Sequence, residues 1–498
     1  MKFNLRLGKN LGFNFAAFGA GNYNSTSSLY EGAGDAKHRT SISGIAQDSR
    51  KDVPRWSRIK LLAKSRALYA NDGLARGAIN DIARYSVGGG LIPQAQTDDV
   101  AWNEAAEAYW REWCKVADVT GRFHFNRLQR ILSIAIDRDG DVGLLLVKGA
   151  SGFPQVQVVE SHRIGDGTDN NGVQGDGSEW FDGVRVNKAG RPLEYRIVTM
   201  NVMGIKKVEV IPADNFVMLF DGERADMVRG IPALYHAINT IHDRKDILDN
   251  EKIGQKKDAQ TWAILKTKSG EADPADWTDE EVTVDGKKLT FTESRGGETK
   301  VVATDEDLTP WQSNRPSPAF NGFLDHLIRD VATGLGVPYE FVWNPERLGG
   351  TAQRFILEKA QRRFRERQDL LETMVLNRLW FWVISVAIQR GDLKTVKDGW
   401  RVRWQRPSEL TVDAGRDANN DREDVKMGLM TEAEHFGRRG MDWQEARTQK
   451  EREVDDLLER AGRLAKKHGL PLMQAMQMLQ LSTPNANMAG QPTGKNSL

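Results

Sequence analysis

The chain has 498 residues, 70 basic and 69 acidic, with a formal net charge of +1. Its length allows two to four domains, and its charge balance excludes a whole-protein polyanion binder, so any contact with nucleic acid is local or transient. One cysteine, Cys114, excludes an intrachain disulfide framework and fits a reducing compartment, and no stretch reaches the roughly 18 apolar residues that span a bilayer.

Residues 1 to about 50 are rich in Gly, Asn and Ser. Lys2, Arg6 and Lys9 precede an apolar run from Phe13 to Ala20, but Asn14 and Gly19 break it, so the segment reads as a flexible arm rather than a signal peptide. Ile59, Leu62, Leu68, Ala75, Ile79 and Ile82 predict helix from Trp56 to Tyr85, broken at Asn71-Asp72-Gly73. Val87-Gly88-Gly89-Gly90 ends it ahead of a short strand, Leu91-Ile92. Helices follow over Val100 to Cys114, exposing Glu104, Glu107 and Arg111, and over Phe125 to Arg138. Cys114 sits on a helix face beside Trp110 and Trp113, as a buried small apolar residue does. The period then falls from about 3.6 to 2. Gly143–Val147, Gln155–Val159, Gly183–Val186, Glu194–Val198, Lys207–Ile211 and Phe216–Phe220 are predicted strands of one antiparallel sheet, which makes the fold α+β.

Helical spacing resumes from Ile231 to about Leu265, roughly 50 Å if unbroken. It carries Lys245, Lys252 and Lys256 in a stripe with Asp249 interposed. Residues 268 to 315 are polar, with an acidic run from Glu271 to Glu281 and strands predicted over Lys287–Thr292 and Thr299–Ala303. An amphipathic helix bearing Phe320, Phe323, Leu324, Leu327, Ile328 and Val331 stops at Gly334-Leu335-Gly336-Val337-Pro338. A loop follows: Trp343, Asn344, Pro345, Glu346, Arg347, Leu348, Gly349 and Gly350. The helix from Thr351 to Arg390 is basic in its first half and apolar in its second. Trp400 to Trp404 is a predicted strand returning to the earlier sheet. Helices are then expected over Thr431–Arg438 and Asp442–Leu479. Gly469-Leu470-Pro471 breaks the second before a Met-rich turn at Met473, Met476 and Met478, and Ser482 to Leu498 reads as disordered.

No catalytic, metal or cofactor site emerges. Asp137-Arg138-Asp139-Gly140-Asp141 opens like a calcium loop, but Lys148 stands where a bidentate Glu is required, so a helix-to-strand turn is expected. His236 and His242 fall on different helix faces, Gly19-Ala20-Gly21 lacks the context of a phosphate cradle, and Asp279 with Glu281 has no histidine or lysine partner. On the long helix Arg354, Arg362 and Arg365 lie within about 80° of one another, with Glu358 and Asp369 among them. That pattern fits either a wall facing a polyanion or a salt-bridge lattice with neighbouring helices.

The order of these elements resembles the lambda-type family of bacteriophage portal proteins. Arg66-Ala-Leu-Tyr-Ala-Asn-Asp72, Val87 to Gly90, Arg229-Gly-Ile-Pro-Ala-Leu234, Pro316 and Pro318, and Ile328 to Glu340 carry the likeness, which spans roughly residues 30 to 445. The sequence departs from the family's usual pattern at Leu348-Gly-Gly-Thr-Ala-Gln-Arg354 and at Val412-Asp413-Ala414. The resemblance implies a ring-forming, non-enzymatic α+β subunit, commonly dodecameric, at a capsid vertex. It implies a flexible arm (1–50), an α/β wing (51–230), stem helices (231–265 and 316–337) and a small α/β clip between them (266–315). A tunnel loop and helix (338–390), a return to the wing (391–424), a helical crown (425–481) and a disordered tail (482–498) complete the plan. Trp343 to Gly350 would line the channel, and Arg354, Arg362, Arg365, Lys245, Lys252 and Lys256 would face DNA or a neighbouring subunit. The implied partners are double-stranded DNA, transiently, the terminase large subunit, capsid and scaffold proteins, and head-completion or tail adaptor proteins, without membrane or cofactor. The reading from a different class is a metal-dependent nucleic-acid-processing enzyme using the Arg-rich helix.

Overall fold

A computed structural model describes residues 47–149, 151–165, 172–200, 206–260, 318–343, 350–410, 414–437, 439, 441 and 443–481, with four short strands between 263 and 310. Residues before 47, residues 166–171, the expected strand Thr299–Ala303, residues 344–349 of the expected channel loop, Val412-Asp413 and the residues from 482 lie outside the described residues. A first unit ends at Asp52 and contains helix α1 (Ser49–Asp52); all that follows belongs to the second.

In the second unit α2 (Arg55–Asn71) and α3 (Gly73–Val87) meet at Asp72, whose carboxylate caps α3 by accepting from the Ala75 amide at 3.0 Å. Strand β1 (Ile92–Ala95) precedes α4 (Val100–Val116) and α5 (Phe125–Asp139). Glu107 is not exposed as expected. It is buried and accepts from the Ala95 amide at 2.8 Å, tying β1 to α4. Eight strands follow: β2 (Asp141–Lys148), β3 (Pro154–Glu160), β4 (Gly172–Val173), β5 (Glu179–Phe181), β6 (Val184–Val186), β7 (Pro192–Met200), β8 (Lys206–Pro212) and β9 (Phe216–Phe220). They form two antiparallel sheets rather than one, ordered β3-β2-β9 and β4-β5-β6-β7-β8. A core of Val159, Val184, Tyr195, Ile197, Phe216 and Met218 draws on strands of both sheets.

Helix α6 (Ile238–Gln260) is shorter than its periodicity predicts. Pro232 opens a 3-10 turn over Ala233–His236, and Ala263–Thr267 is strand β10, so 23 residues give about 35 Å rather than 50. Strands β11 (Glu280–Val284), β12 (Lys287–Phe291) and β13 (Glu306–Pro310) make two antiparallel ribbons, β10-β13 and β11-β12. Then come α7 (Pro318–Gly334), α8 (Tyr339–Val342), α9 (Gly350–Leu371), a π turn over Glu372–Leu376, and α10 (Asn377–Arg390). Strand β14 (Val402–Gln405) does not rejoin the earlier sheets; it pairs with β1, Ile92 opposite Gln405. Helix α11 (Ala414–Lys426) has no counterpart in the sequence reading. After α12 (Glu432–Gly437) and α13 (Trp443–His468), Gly469 turns the chain at φ +66, and the Met residues lie on a helix, α14 (Leu472–Leu481), not in a turn.

The largest group of tryptophans is internal. Trp110 packs against Trp113, Trp380 and Trp404 at ring separations of 4.5, 5.5 and 5.6 Å in the main core. Each indole N–H among Trp102, Trp113, Trp380 and Trp404 donates to an internal oxygen, at 2.8 to 3.1 Å, as buried indoles require. Cys114 is buried in the same core, and desolvation pushes its thiol up to about 12. Among the described residues one helix, from Ala352 to Arg390, is long and apolar enough to cross a membrane by length and composition. Half of its qualifying 18-residue window is buried inside the protein, where Leu379, Trp380, Val383 and Ile384 serve the same core.

The Asp137-to-Asp141 segment is the predicted helix-to-strand turn, and its three carboxylates diverge to different arginines, four in all. Asp137 takes the fully buried Arg367 of α9, Asp139 takes Arg66 of α2 and its neighbour Arg138, and Asp141 takes Arg229. Arg229 donates two parallel bonds to Asp141, at 2.7 and 3.0 Å. Its other donors reach the carbonyls of Ile164, Asp182 and Ser161. The Gly230 amide adds a further donor to Asp141 at 3.0 Å. Arg55 and Arg58 reach from α2 to Asp182, which holds φ +42 in the turn between β5 and β6. The backbones cross at two glycines: a Cβ on Gly140 (φ +91) would stand 2.6 Å from the Ile231 carbonyl carbon, and one on Gly230 would enter the Gly140 carbonyl.

Burial penalises charge on Asp141, yet the guanidiniums of Arg229 and Arg58 outweigh it and hold the carboxyl below its usual range; Asp139 is lowered likewise by Arg138 and Arg66. Groups depressed in this way stabilise the fold fully above their unfolded pKa, near 4, and lose that stabilisation as pH falls through their native values. The denaturation midpoint is therefore expected to hold between about pH 7 and 5 and to drop below about pH 4, with a shallower drop in Asp139→Asn, measured by chemical unfolding across pH. Asp141→Asn leaves buried Arg229 with only the more distant Asp182, at 3.6 Å, as counter-charge and is expected to cost about 3–5 kcal/mol in the same assay, whereas Glu104→Gln, on the exposed side of α4, changes little. Gly230→Ala is expected to cost about 1–3 kcal/mol from the backbone clash alone.

Candidate functional site

The residues expected to face DNA or a neighbour lie on α6 and α9, and their roots share a second core. Leu74, Ile79 and Ile82 of α3, Ile241 of α6, Val331 of α7, Leu335 just after it, and Phe364 of α9 are buried there together. Gly334 lets α7 approach the turn ahead of α6 so closely that a Cβ would enter the His236 ring. Thr240 donates to Asp330 at 3.0 Å across the two helices, and Arg244 pairs with the capping residue Asp72. Tyr339 of α8 donates to Asp325 of α7 at 2.8 Å, and Arg329 lies 4.7 Å from the centre of its ring. The helix pair is thus locked at one end, while further out Ile253 and Phe323 are about half exposed.

On α6 the cationic stripe is already partly engaged. Lys245 donates to the Asn71 carbonyl at 3.3 Å, Lys252 pairs with Asp249 on its own helix at 2.9 Å, and Lys256 is exposed one turn further on. Trp343, half exposed, ends α8 with its amide bonded to the Tyr339 carbonyl at 2.9 Å. The remainder of the expected channel loop before Gly350 is outside the described residues.

On α9 most of the arginines are engaged by carboxylates of the same chain, on the helix itself or in distant segments. Arg362 pairs with Glu358 one turn back at 2.9 Å, and Arg365 pairs with Glu409, 44 residues away, at 2.6 Å. Arg363 bridges Glu366 at 3.3 Å and Asp221 at 3.5 Å. Arg367 belongs to the buried Asp137 pair. At the π turn Arg406 holds Asp369 and Glu372 together, at 2.5 and 2.8 Å. Its own pKa is raised, chiefly by the bond to Glu372. Arg354 is exposed at the start of the helix. The expected cations therefore do not converge on one site: Arg362 and Arg365 are exposed but carboxylate-bound, and the three lysines line a different helix.

An open cleft of about 780 Å³ lies where α7, α9 and the Ala233–His236 turn meet. Lys359, Arg362 and Arg363 line it together with Asp221, Glu223, Asp330 and Glu366. Its mixed signs suit neither a phosphate nor a free cation. Glu409, Asp221 and Arg406 are the site residues that sequence reading missed, because each partners α9 from a distant segment and no local spacing announces it. Among the described residues no group of three or more His, Cys, Asp or Glu side chains could hold a metal ion.

Solved structures with a similar chain trace include the neck of a native gene transfer agent particle computed with C12 symmetry. It is 15% identical with a TM-score of 0.47, covering 77% of this chain and 92% of that one. The neck of an empty particle computed with C6 symmetry gives 15%, 0.48, 77% and 93%, and the virion of a native particle gives 14%, 0.42, 74% and 89%. At these scores they carry nothing further over to this chain. Among curated proteins none matches. The family model described as phage portal protein, lambda family, matches residues 38–368, from the arm before α2 through the Arg229-Gly230 crossing to the buried Arg367-Gln368 of α9. That match takes in both glycine crossings and the basic half of α9 within well over half of the sequence, and the chain belongs to the lambda family of phage portal proteins.

Proposed function

We propose that this portal protein forms a closed homo-oligomeric ring, commonly a dodecamer in such proteins, at one capsid vertex. The ring nucleates head assembly, docks the terminase large subunit, conducts double-stranded DNA during packaging and ejection, and joins head to tail through head-completion or tail adaptor proteins. It contacts major capsid and scaffold proteins while assembling in the host cytoplasm, and it resides in the virion. In this reading residues 51–230 are the wing, 231–265 and 316–337 the stem and 266–315 the clip. Residues 338–390 are the tunnel loop and helix, 391–424 the return to the wing, and 425–481 the crown, between an arm at 1–50 and a tail at 482–498.

One observation carries the proposal beyond family membership. Two exposed arginines of α9 are neutralised by carboxylates of the same chain, Arg362 by Glu358 and Arg365 by Glu409. Tight non-specific DNA binding comes from cations that displace counterions, one step in the salt slope per freed charge. A conduit needs the reverse: a wall that repels little and retains little. Trp343 to Gly350 and Arg354, at the start of the same helix, then stand nearest the constriction, with Lys245, Lys252 and Lys256 on the stem.

Two measurements test this. Deleting residues Trp343 to Gly350 is expected to leave a ring of several hundred kilodaltons by native mass spectrometry while impairing DNA packaging or retention; loss of the ring would refute the channel placement. The double variant Glu358→Gln with Glu409→Gln unmasks Arg362 and Arg365. It is expected to raise affinity for duplex DNA at low salt and to steepen the dependence of log affinity on log salt by about one per freed cation. An unchanged slope would show that this face does not meet DNA.

A further inference from the structure

The charges of α13 are sorted along its length. Between Glu451 and Glu459 stand five carboxylates and one arginine; from Arg460 to Lys467 there are four cations and no acid. The helix that folds back on it, α14, has the sequence LMQAMQMLQL and no charge at all. Their common seam buries Ala461 and Ala475 to 0% and 1% exposure. Two apolar surfaces remain open beside that seam. One is Val454 with Leu458, a turn apart on α13 and 46% and 40% exposed; the other is Leu472 with Met473 at the start of α14, 47% and 71% exposed.

A ten-residue uncharged helix with Met473 and Met478 exposed is too short to persist by propensity, and exposed apolar side chains of this kind mark contact surfaces. The stretch that follows α14 offers little to cover them, since from Ser482 to Leu498 the large apolar side chains are Met488 and Leu498 alone. The two open patches are unlike and complementary. Val454 and Leu458 stand beside Asp455 and Glu459, whereas α14 follows directly on Lys466 and Lys467.

We infer that α14 of one copy covers Val454 and Leu458 of the next, with Lys466 and Lys467 of the first facing Asp455 and Glu459 of the second. Because the two patches differ, the contact is heterologous, the kind that propagates around a closed ring rather than stopping at a dimer. This contact rests on the ring reading and names which surfaces of the C-terminal helices close it.

Paired cysteines test it in the full-length protein, where Cys114 is buried with its thiol pushed up to about 12 and does not compete. Asp455→Cys combined with Met473→Cys, treated with a short bismaleimide, is expected to give a ladder of covalent oligomers on a denaturing gel, while each single variant stays at the monomer. A dimer from either single variant, or a double variant cross-linked only within one chain, would overturn the heterologous contact. Native mass of the untreated double variant separates the two levels. An intact ring without a ladder removes this contact alone, and a monomeric wild-type chain removes the ring reading with it. Asp455→Lys is expected to lower the salt concentration at which the ring dissociates, and Lys466→Glu added to it to restore that value; absence of rescue counts against the charge pairing.

Discussion

The ion pair between Asp141 and Arg229 is the constraint on which the rest of this subunit hangs. Both side chains are essentially inaccessible to water, so each would cost several kcal/mol to bury alone. The pair is tolerated because its geometry is complete. Two parallel guanidinium bonds and a backbone amide satisfy the carboxylate, and carbonyls of Ser161, Ile164 and Asp182 take the remaining donors. That geometry requires the chain after α5 and the chain before α6 to touch, which only Gly140 and Gly230 permit. One contact therefore links the start of β2, the turn of the second sheet, α2 through Arg58, and the departure of α6.

The same logic, repeated with exposed partners, sets the character of α9. Its basic half begins in solvent at Arg354, passes through the paired Arg362, Arg363 and Arg365, and ends at Arg367, buried against Asp137. The change from surface to core happens within four turns. The π turn at Glu372–Leu376 follows at once, with Arg406 gripping Asp369 and Glu372 on one side while Val375 and Leu376 sink into the main core. Such turns commonly mark a functional place in a long helix. Here it sits where a polar, carboxylate-neutralised segment gives way to an apolar one.

Much of this was legible in order but not in partnership. The breaks at Asp72, Gly88–Gly90, Gly334–Pro338 and Gly469 were correct because capping and positive φ are local properties of the residues concerned. The pattern does not separate the two sheets, does not pair β14 with β1 and does not announce α11. Period 2 reports that a strand has two faces and says nothing about which strand lies beside it. The length of α6 was overestimated because Trp262-Ala-Ile-Leu265 satisfies helix and strand templates equally, and only pairing with β13 decides.

From the sequence alone came the family, the α+β class, the turn at Asp137–Asp141 and the mixed-sign helix faces. All of these depend on neighbours a few residues apart or on the order of elements. Tertiary structure decided which charge neutralises which: Arg365 with Glu409, Arg363 with Asp221, Arg229 with Asp141, and Glu107 with the backbone of β1. It also decided which tryptophans are core and which, such as Trp56 and Trp400, face outward. The reason is physical. Desolvation and Coulomb energy depend on distance through the folded molecule, and residues 44 or 88 positions apart acquire that distance only when the chain closes.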